Sequence, residues 1–122
     1  IERARRENPG REFMAWDLAA QGAVPGEFDA VLFCLAVHEL TDRDLVLDAA
    51  IAHARRRVIV VDYDPSLRGW LRFREGLLEK GKLGRYLQFD LVGHLARQGW
   101  TLARTEPLDE VYRWWVFERE RC

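Results

Sequence analysis

The chain has 122 residues, of which 48% are apolar and 32% are charged, and its formal net charge is −1. This length suits one domain with one core, and the balanced charge gives no support for binding to nucleic acid or to a membrane surface. The sequence shows neither a stretch as long as a membrane span nor a signal peptide, so we expect a cytoplasmic protein.

The N-terminal part of the sequence predicts a helix, a strand and a loop, in that order. Residues 1–8 favour a helix, which the following Pro-Gly pair ends. Residues 11–17 alternate in part between apolar and polar side chains and close with an aspartate, which predicts a short strand. Residues 19–27 contain two glycines and a proline and predict a loop.

Two uninterrupted apolar runs flank one amphipathic segment in the middle of the chain. Residues 30–37 and 58–61 predict strands that are covered on both faces, the pattern of neighbouring parallel strands. Between them, Thr41 is the predicted cap of a helix whose apolar residues recur at helical spacing. The arginines at 55–57 are expected at the end of this helix, where its dipole favours positive charge.

The carboxyl ends of these two strands are where we expect a functional site, because ligands of open α/β sheets bind there. The segments concerned are residues 34–39 and 62–64. Cys34 lies in the apolar run and is predicted to be a small buried side chain. Cys34 and His38 stand too far apart along a strand for a metal pair, so no metal is expected. Two cysteines do not make a disulfide framework.

The C-terminal half predicts two helices followed by a strand pair. A helix begins after Pro65-Ser66, and glycines 81 and 84 are expected to end it. Asp90 caps a short helix over 91–98, and Gly99 ends that helix. Residues 100–105 and 111–118 predict the two strands. The apolar stripe of the first helix is predicted to consist of Leu67, Trp70, Leu71, Leu77 and Leu78, with the tryptophans in the core.

Five segments carry motifs that recur together in one protein family. They are residues 1–6, 28–31, 36–40, 58–62 and 79–100. In this order they resemble the C-terminal two-thirds of a class I S-adenosylmethionine-dependent methyltransferase, from the helix after its second strand to the approach to its sixth strand. The resemblance covers essentially the whole chain. It implies a Rossmann-like α/β sheet with a C-terminal antiparallel strand pair, and methyl transfer to a small-molecule acceptor.

The glycine-rich turn that receives the cofactor in this family is not found in the sequence, which contains no G-x-G. The chain therefore resembles a single domain, residues 1–122, that is incomplete at its N-terminus and lacks the first β-α-β unit. In such a domain the strand at 30–37 has an unpaired apolar edge. We expect self-association or a partner chain to cover that edge.

The resemblance implies that S-adenosylmethionine is the cofactor and that four residues bind it. Asp17 would accept a hydrogen bond from the adenine amino group, and the backbone of Leu18 would lie near the ring. Cys34 and Leu35 would lie beside the methionine end of the cofactor. From the residues alone, Asp17 is equally well explained as an aspartate that caps nearby backbone N–H groups.

The resemblance also places four residues around the acceptor. His38 is the candidate catalytic base, and Glu39, Asp62 and Tyr63 are expected to line the substrate pocket. The alternative for His38 and Glu39 is structural: a hydrogen bond at a helix entry and a solvated acid near the helix N-terminus.

Two other functions are compatible with the sequence. A methyltransferase-like chain without activity can serve as an interaction module that pairs its exposed edge with a partner. Alternatively, Asp62 and Asp64 follow an apolar strand in the D-x-D pattern of haloacid-dehalogenase-type phosphatases, in which the first aspartate attacks phosphorus beside Mg²⁺.

Overall fold

A computed structural model describes residues 1–67, 69–79 and 82–119. Four strands form one sheet: β1 (Phe28–Cys34), β2 (Ala54–Tyr63), β3 (Trp100–Pro107) and β4 (Tyr112–Arg119). The helices are α1 (Glu2–Glu7), α2 (Leu18–Gln21), α3 (Arg43–Ile51), α4 (Gly69–Leu78), α5 (Lys82–Leu87) and α6 (Leu91–Ala96), and Val37–Glu39 form a 3₁₀ turn. None of the helices in the described ranges has the length and apolar character needed to cross a membrane.

The sheet has the strand order β1-β2-β4-β3. β1 and β2 are parallel and in register from Ala30↔Arg57 to Cys34↔Val61. β4 runs antiparallel to both β2 and β3. The predicted parallel pair of apolar runs and the predicted C-terminal antiparallel pair are therefore both confirmed.

The core lies where the sheet meets α3, α5 and α6. β2 buries Val58 and Val60 completely, whereas Phe33 is the only buried residue of β1. This contrast follows from position, because β2 lies between two strands while β1 is at the edge of the sheet. The most completely buried side chains are Val37, Leu47, Val58, Val60, Asp62, Leu83, Leu95 and Phe117.

The predicted strand at 11–17 is wrong, because these residues form irregular chain. A strand needs a hydrogen-bonded partner, and the pairs in the described sheet are β1–β2, β2–β4 and β3–β4. The segment is held instead by isolated contacts, such as the hydrogen bond from the Arg5 guanidinium to the Phe13 carbonyl. The expected loop at 19–27 begins with the short helix α2.

The boundaries around α3 and β2 also differ from the prediction. Asp42, and not Thr41, precedes α3 as its N-cap residue, and its side chain makes no cap hydrogen bond. β2 begins at Ala54, so residues 55–57 belong to the strand and not to a helix end. Pairing with β1 explains this, because Ala54 and Arg57 are register partners of Phe28 and Ala30. Arg55 also forms an ion pair of 2.6 Å with Glu27, just before β1. β1 ends at Cys34, before the predicted end at residue 37.

The predicted apolar stripe of the helix after residue 65 is exposed at three of its five residues, while Leu71 packs partly buried against the core. Leu67 is buried but precedes α4, while Trp70, Leu77 and Leu78 are exposed, with 68% of Trp70 accessible. Gly84 lies inside α5, and Gly81 is outside the described residues. Glu75 is the buried residue of α4, and Leu71 is partly buried against the core, so polar contacts and one apolar contact together orient this helix.

The predicted cap of α6 is confirmed, whereas the helix ends at Ala96 and not at residue 98. The Asp90 side chain accepts a hydrogen bond from the Gly93 N–H, and Gly99 after the helix has a φ of 88°. The prediction that Cys34 is buried is wrong, because this thiol is exposed at the end of the edge strand. Trp100 and Trp115 are buried as expected.

Candidate functional site

The carboxyl ends of β1 and β2 bring together the polar residues that the sequence singled out. The 3₁₀ turn that follows β1 carries His38 and Glu39, and β2 ends in Asp62 and Tyr63. Because the two strands are parallel neighbours, both ends lie at the same edge of the sheet. His38 is 5% exposed and Asp62 is fully buried.

Asp62 holds His38 in one orientation. Its Oδ1 lies 2.7 Å from His38 Nδ1, and its Oδ2 accepts a hydrogen bond from the His38 backbone N–H at 3.1 Å. Oδ1 also accepts from the Tyr63 backbone N–H at 2.8 Å. Because a carboxylate surrounded by donors acts only as an acceptor, Nδ1 carries the proton. Nε2 therefore faces away from β2, toward Glu39 and Glu79.

Two glutamates stand on the Nε2 side of the imidazole. Glu39 Oε1 lies 3.3 Å and Glu79 Oε2 lies 3.2 Å from Nε2. The other oxygen of Glu79 accepts from the Tyr63 hydroxyl at 2.9 Å, and Glu39 Oε2 is 3.5 Å from Lys82 Nζ. The imidazole is thus bounded by carboxylates at both nitrogens.

The Tyr63 hydroxyl contacts Glu75 of α4 and Glu79, the residue that follows this helix. It lies 3.0 Å from Glu75 Oε2 as well as 2.9 Å from Glu79 Oε1, so one hydroxyl proton faces two carboxylates. Burial raises the pKa of the Tyr63 phenol far above its usual value, and the hydrogen bonds with Glu79 and Glu75 raise this pKa further. Tyr63 therefore stays neutral and acts as a fixed donor. Its ring meets the His38 ring edge-on, with centroids 4.9 Å apart.

Tyr86 and Arg43 support the site from α5 and α3. The Tyr86 hydroxyl donates to the Tyr63 carbonyl at 3.0 Å, and burial raises its pKa, with a further contribution from the charge of Asp62. The Arg43 guanidinium donates to the Val37 carbonyl at 3.1 Å. Burial lowers the pKa of Arg43. A cleft beside His38 and Glu39 is lined by the cationic residues Arg43, Lys82 and Arg85.

Asp64 is separate from this cluster. Burial disfavours its charged form, but hydrogen bonds from Ser66 and Arg113 outweigh burial and hold the pKa of Asp64 below its usual value. The Arg113 guanidinium donates to Oδ2 at 3.1 Å, and the Ser66 N–H and hydroxyl donate to Oδ1. Asp62 in turn is bound to His38. Both aspartates of the D-x-D pattern are thus committed to internal contacts, which gives no support to attack of Asp62 on phosphorus.

The four predicted cofactor residues lie on two different elements. Asp17 is the N-cap of α2, where its Oδ1 accepts from the N–H groups of Ala19 and Ala20, and Leu18 is the first residue of that helix. Cys34 ends β1, and Leu35 follows it with a φ of 55°, which is unusual for a leucine. Among the described residues, no hydrogen bond joins the two pairs. Their role in cofactor binding remains a prediction.

Sequence reasoning missed the contributions of Glu75 and Glu79. The signal was their spacing, because residues four apart lie on the same face of a helix. Two acids at this spacing, among leucines and aromatic residues, marked the face of α4 that turns inward. Lys82 was also missed, and no feature of its surroundings in the sequence distinguishes it from a solvated lysine.

Comparison with known proteins gives matches among solved structures alone. No family model and no curated protein sequence matches the chain. The magnesium protoporphyrin IX methyltransferase of Synechocystis PCC 6803 with bound S-adenosylhomocysteine (SAH) superposes with a TM-score of 0.61 and 20% identity over 98% of this chain. A SAM-dependent methyltransferase from Aquifex aeolicus gives a TM-score of 0.61 at 12% identity, again over 98% of the chain. The chain has a class I methyltransferase fold.

The likeness extends beyond enzymes named as methyltransferases. LepI in complex with S-adenosylmethionine (SAM) gives a TM-score of 0.65 at 13% identity, and a protein described as a pericyclic reaction enzyme gives 0.64. The chain spans 57% of the Synechocystis methyltransferase, 61% of the Aquifex protein and 39% of LepI. At these identities the likeness establishes the methyltransferase fold and leaves the reaction to be argued from the site.

Proposed function

We propose that the chain takes part in S-adenosylmethionine-dependent methyl transfer to a small molecule, which is held at the carboxyl ends of β1 and β2. The observation that carries this proposal is the buried His38–Asp62 pair at the ends of two parallel strands, in a sheet with a methyltransferase fold. Solved structures with this fold contain SAM or SAH, which supports the same cofactor here.

The residues at the ends of α2 and β1 fit parts of this cofactor. S-adenosylmethionine supplies a methyl group on a positively charged sulfur. The α2 cap uses one oxygen of Asp17, so the other is available to accept from an adenine amino group. Cys34 and Leu35 are exposed and can make apolar contacts with the methionine end of the cofactor. Because the sequence contains no G-x-G turn, we propose that the 122-residue chain alone binds the cofactor weakly.

His38 is the proposed base for the acceptor. With Nδ1 bound to Asp62, Nε2 can take a proton from a hydroxyl or amine group that reaches the adjoining cleft, whose volume of about 30 Å³ admits that group and not a whole acceptor. The cations that line the cleft would draw an acceptor that carries negative charge. Beyond this, methyl transfer depends chiefly on alignment of the nucleophile with the sulfonium, and proximity supplies much of the rate.

The proposal is tested by following the backbone amide signals of the ¹⁵N-labelled chain by NMR during titration with S-adenosylhomocysteine. This method detects binding even with dissociation constants on the order of millimolar, about −4 kcal/mol. We expect concentration-dependent shifts at Asp17, Leu18, Cys34 and Leu35. Leu35→Arg should abolish the shifts, whereas Leu108→Arg, at an exposed leucine in the turn between β3 and β4, should leave them unchanged. Absence of shifts in the wild-type chain, or shifts confined to other residues, would refute cofactor binding at this site.

A second candidate, the non-catalytic interaction module, is favoured by exposed apolar residues. Leu32 of β1 and the cluster Trp70, Phe73, Leu77 and Leu78 of α4 are all more than half exposed. Isolated exposed apolar residues are ordinary, but a group of this kind marks a binding surface. A chain that self-associates tightly and shows no shifts with S-adenosylhomocysteine would support this module in place of the enzyme.

A further inference from the structure

Three ligand atoms from three side chains converge beside the 3₁₀ turn after β1. One ligand atom each of His38, Glu39 and Glu79 lies within 4.8 Å of the other two, and His38 Nε2 lies 3.3 Å from Glu39 Oε1 and 3.2 Å from Glu79 Oε2. One imidazole nitrogen with two carboxylate oxygens is a ligand set that first-row divalent metal ions accept. The three residues come from two segments that are 40 positions apart in the chain, so the tertiary fold and not local sequence brings them together.

The second heteroatom of each side chain is held by a different neighbour. These neighbours are the Asp62 carboxylate 2.7 Å from His38 Nδ1, the Tyr63 hydroxyl 2.9 Å from Glu79 Oε1, and Lys82 Nζ 3.5 Å from Glu39 Oε2. Histidines that bind metals almost always donate their other N–H to a carboxylate, a carbonyl or water, which fixes the tautomer. Each outer contact therefore leaves one ligand atom directed at the common point.

The surroundings of His38 Nε2 give an independent reason to expect a cation. The side chain is 5% exposed, and in the neutral ring with the proton on Nδ1 this nitrogen presents a lone pair. Its close contacts in the described part of the chain are the Glu39 and Glu79 oxygens at 3.3 and 3.2 Å, which are acceptors as well. In this tautomer three acceptor atoms face one another, an arrangement that a positive charge between them stabilises. A proton on Nε2 can satisfy one carboxylate well, whereas a metal ion binds all three atoms at once.

We propose that His38, Glu39 and Glu79 form a site for one first-row divalent metal ion. A neutral imidazole and two carboxylates balance the charge of such an ion. Three protein ligands leave coordination positions open, as in catalytic metal sites. The metal site itself does not depend on the proposed methyl transfer. Its use does: with Nε2 bound to the metal ion, His38 would no longer act as the base, and the open positions would instead bind an oxygen of the acceptor and favour its deprotonated form.

The test is calorimetric titration of the full chain with Zn²⁺, in a Cys34→Ser, Cys122→Ser background that removes adventitious thiol ligands. We expect one saturable site. Glu79→Gln and Glu39→Gln should each weaken binding at least about tenfold, and Asp62→Asn should weaken it about 10- to 100-fold through the orientation of His38. Glu118→Gln, which alters an exposed carboxylate paired with Arg57, is the control and should bind like the parent.

A second measurement needs no variant of the site and so does not depend on whether such variants fold. Substoichiometric Mn²⁺ should broaden the amide signals of residues 37–40 and of Glu79 before those of other residues, because paramagnetic broadening falls steeply with distance. Broadening centred elsewhere, or Zn²⁺ affinity that Glu79→Gln leaves unchanged, would overturn the proposal, as would a lack of saturable binding at millimolar metal. These titrations contain no cofactor. A lack of metal binding would therefore not contradict cofactor binding. A lack of S-adenosylhomocysteine binding would likewise not contradict the metal site.

Discussion

His38 lies between two phenol rings whose hydroxyls both form hydrogen bonds inside the protein. The rings of Tyr63 and Tyr86 meet the imidazole at centroid distances of 4.9 and 6.3 Å, each at an interplanar angle of 75°. The Tyr86 hydroxyl fixes the backbone of Tyr63, whose own hydroxyl fixes Glu79. The two tyrosines thereby position one acid of the site and shield the imidazole from water.

The two phenols predict a loss of stability at alkaline pH. Burial raises the pKa of both Tyr63 and Tyr86 above that of the unfolded chain. The unfolded chain therefore releases these protons first, and the free energy of unfolding declines as the pH rises beyond about 10. Urea unfolding between about pH 8 and about pH 11 should show this decline. Phenolate absorbance should show that neither residue ionises before the chain unfolds.

Tyr63→Phe serves as the control for this pH dependence. It removes one of the two phenols with a raised pKa. The variant chain should therefore be less stable at neutral pH, and its free energy of unfolding should decline less steeply at alkaline pH. Identical slopes for the wild-type and Tyr63→Phe chains would show that Tyr63 ionises in the folded state at its ordinary pKa, contrary to the prediction.

At the scale of the elements, α6 depends on the contact between its cap and its third residue. The Asp90 side chain accepts from the Gly93 N–H, and a Cβ at position 93 would overlap the Asp90 carboxylate. A substitution at Gly93 therefore displaces the cap, although the helix itself favours alanine over glycine by about 1 kcal/mol. Cap and helix propensity oppose each other at this position.

This opposition predicts a change of sign in a double-mutant cycle. With Asp90 present, Gly93→Ala should not stabilise the chain, because loss of the cap costs about 1 kcal/mol and offsets the gain in helix propensity. In an Asp90→Ala background the cap is already gone, and Gly93→Ala should stabilise by about 0.5–1 kcal/mol. Urea denaturation of the four chains gives both values. Equal effects of Gly93→Ala in the two backgrounds would show that the cap is not displaced.

The elements that the sequence predicted correctly are those with local causes. The cap at Asp90 and the φ of 88° at Gly99 follow from nearby residues. The uninterrupted apolar run in β2 by itself predicts that this strand is buried. The strand predicted at 11–17 required a partner strand, which no local pattern reveals. The extension of β2 through Arg55 similarly depends on Glu27, which lies 28 residues earlier.

The same distinction applies to the candidate site. His38, Glu39, Asp62 and Tyr63 could be predicted to lie together, because all follow apolar runs of parallel strands, whose ends coincide. Glu79 reaches the same point from the end of α4, and only the packing of that helix determines this. The spacing of Glu75 and Glu79 in the sequence indicates a shared helix face, but it does not show that this face turns toward His38.

At the scale of the whole molecule, β1 forms an edge of the sheet with apolar residues facing outward. β1 pairs with β2, and 61% of Leu32 and 43% of Phe28 are exposed. Edge strands of this kind are sites of association unless charge or a covering element protects them. The expected covering of this edge remains a proposal, and it is directly measurable.

We predict that the chain associates through β1 in a concentration-dependent manner. Leu32→Lys should raise the dissociation constant at least about tenfold, because burying a leucine at an interface contributes about 1.5–3 kcal/mol. Leu108→Lys, at a leucine of similar exposure in the turn after β3, should have no effect. Sedimentation velocity over a range of concentrations distinguishes the variants. A chain that is monomeric throughout, or equal behaviour of the two variants, would contradict the prediction.

The position of β4 also bears on how the protein is made. β4 is the last strand in the described chain, yet it lies between β2 and β3 and pairs Phe117 with Val58 and Trp115 with Val60. A ribosome delivers residues in order, so the nascent polypeptide carries the open side of β2 until residues 112–119 emerge. The sheet must therefore close after translation of β4. Until then the apolar side chains and unpaired backbone groups of β2 are exposed and can be recognised by chaperones.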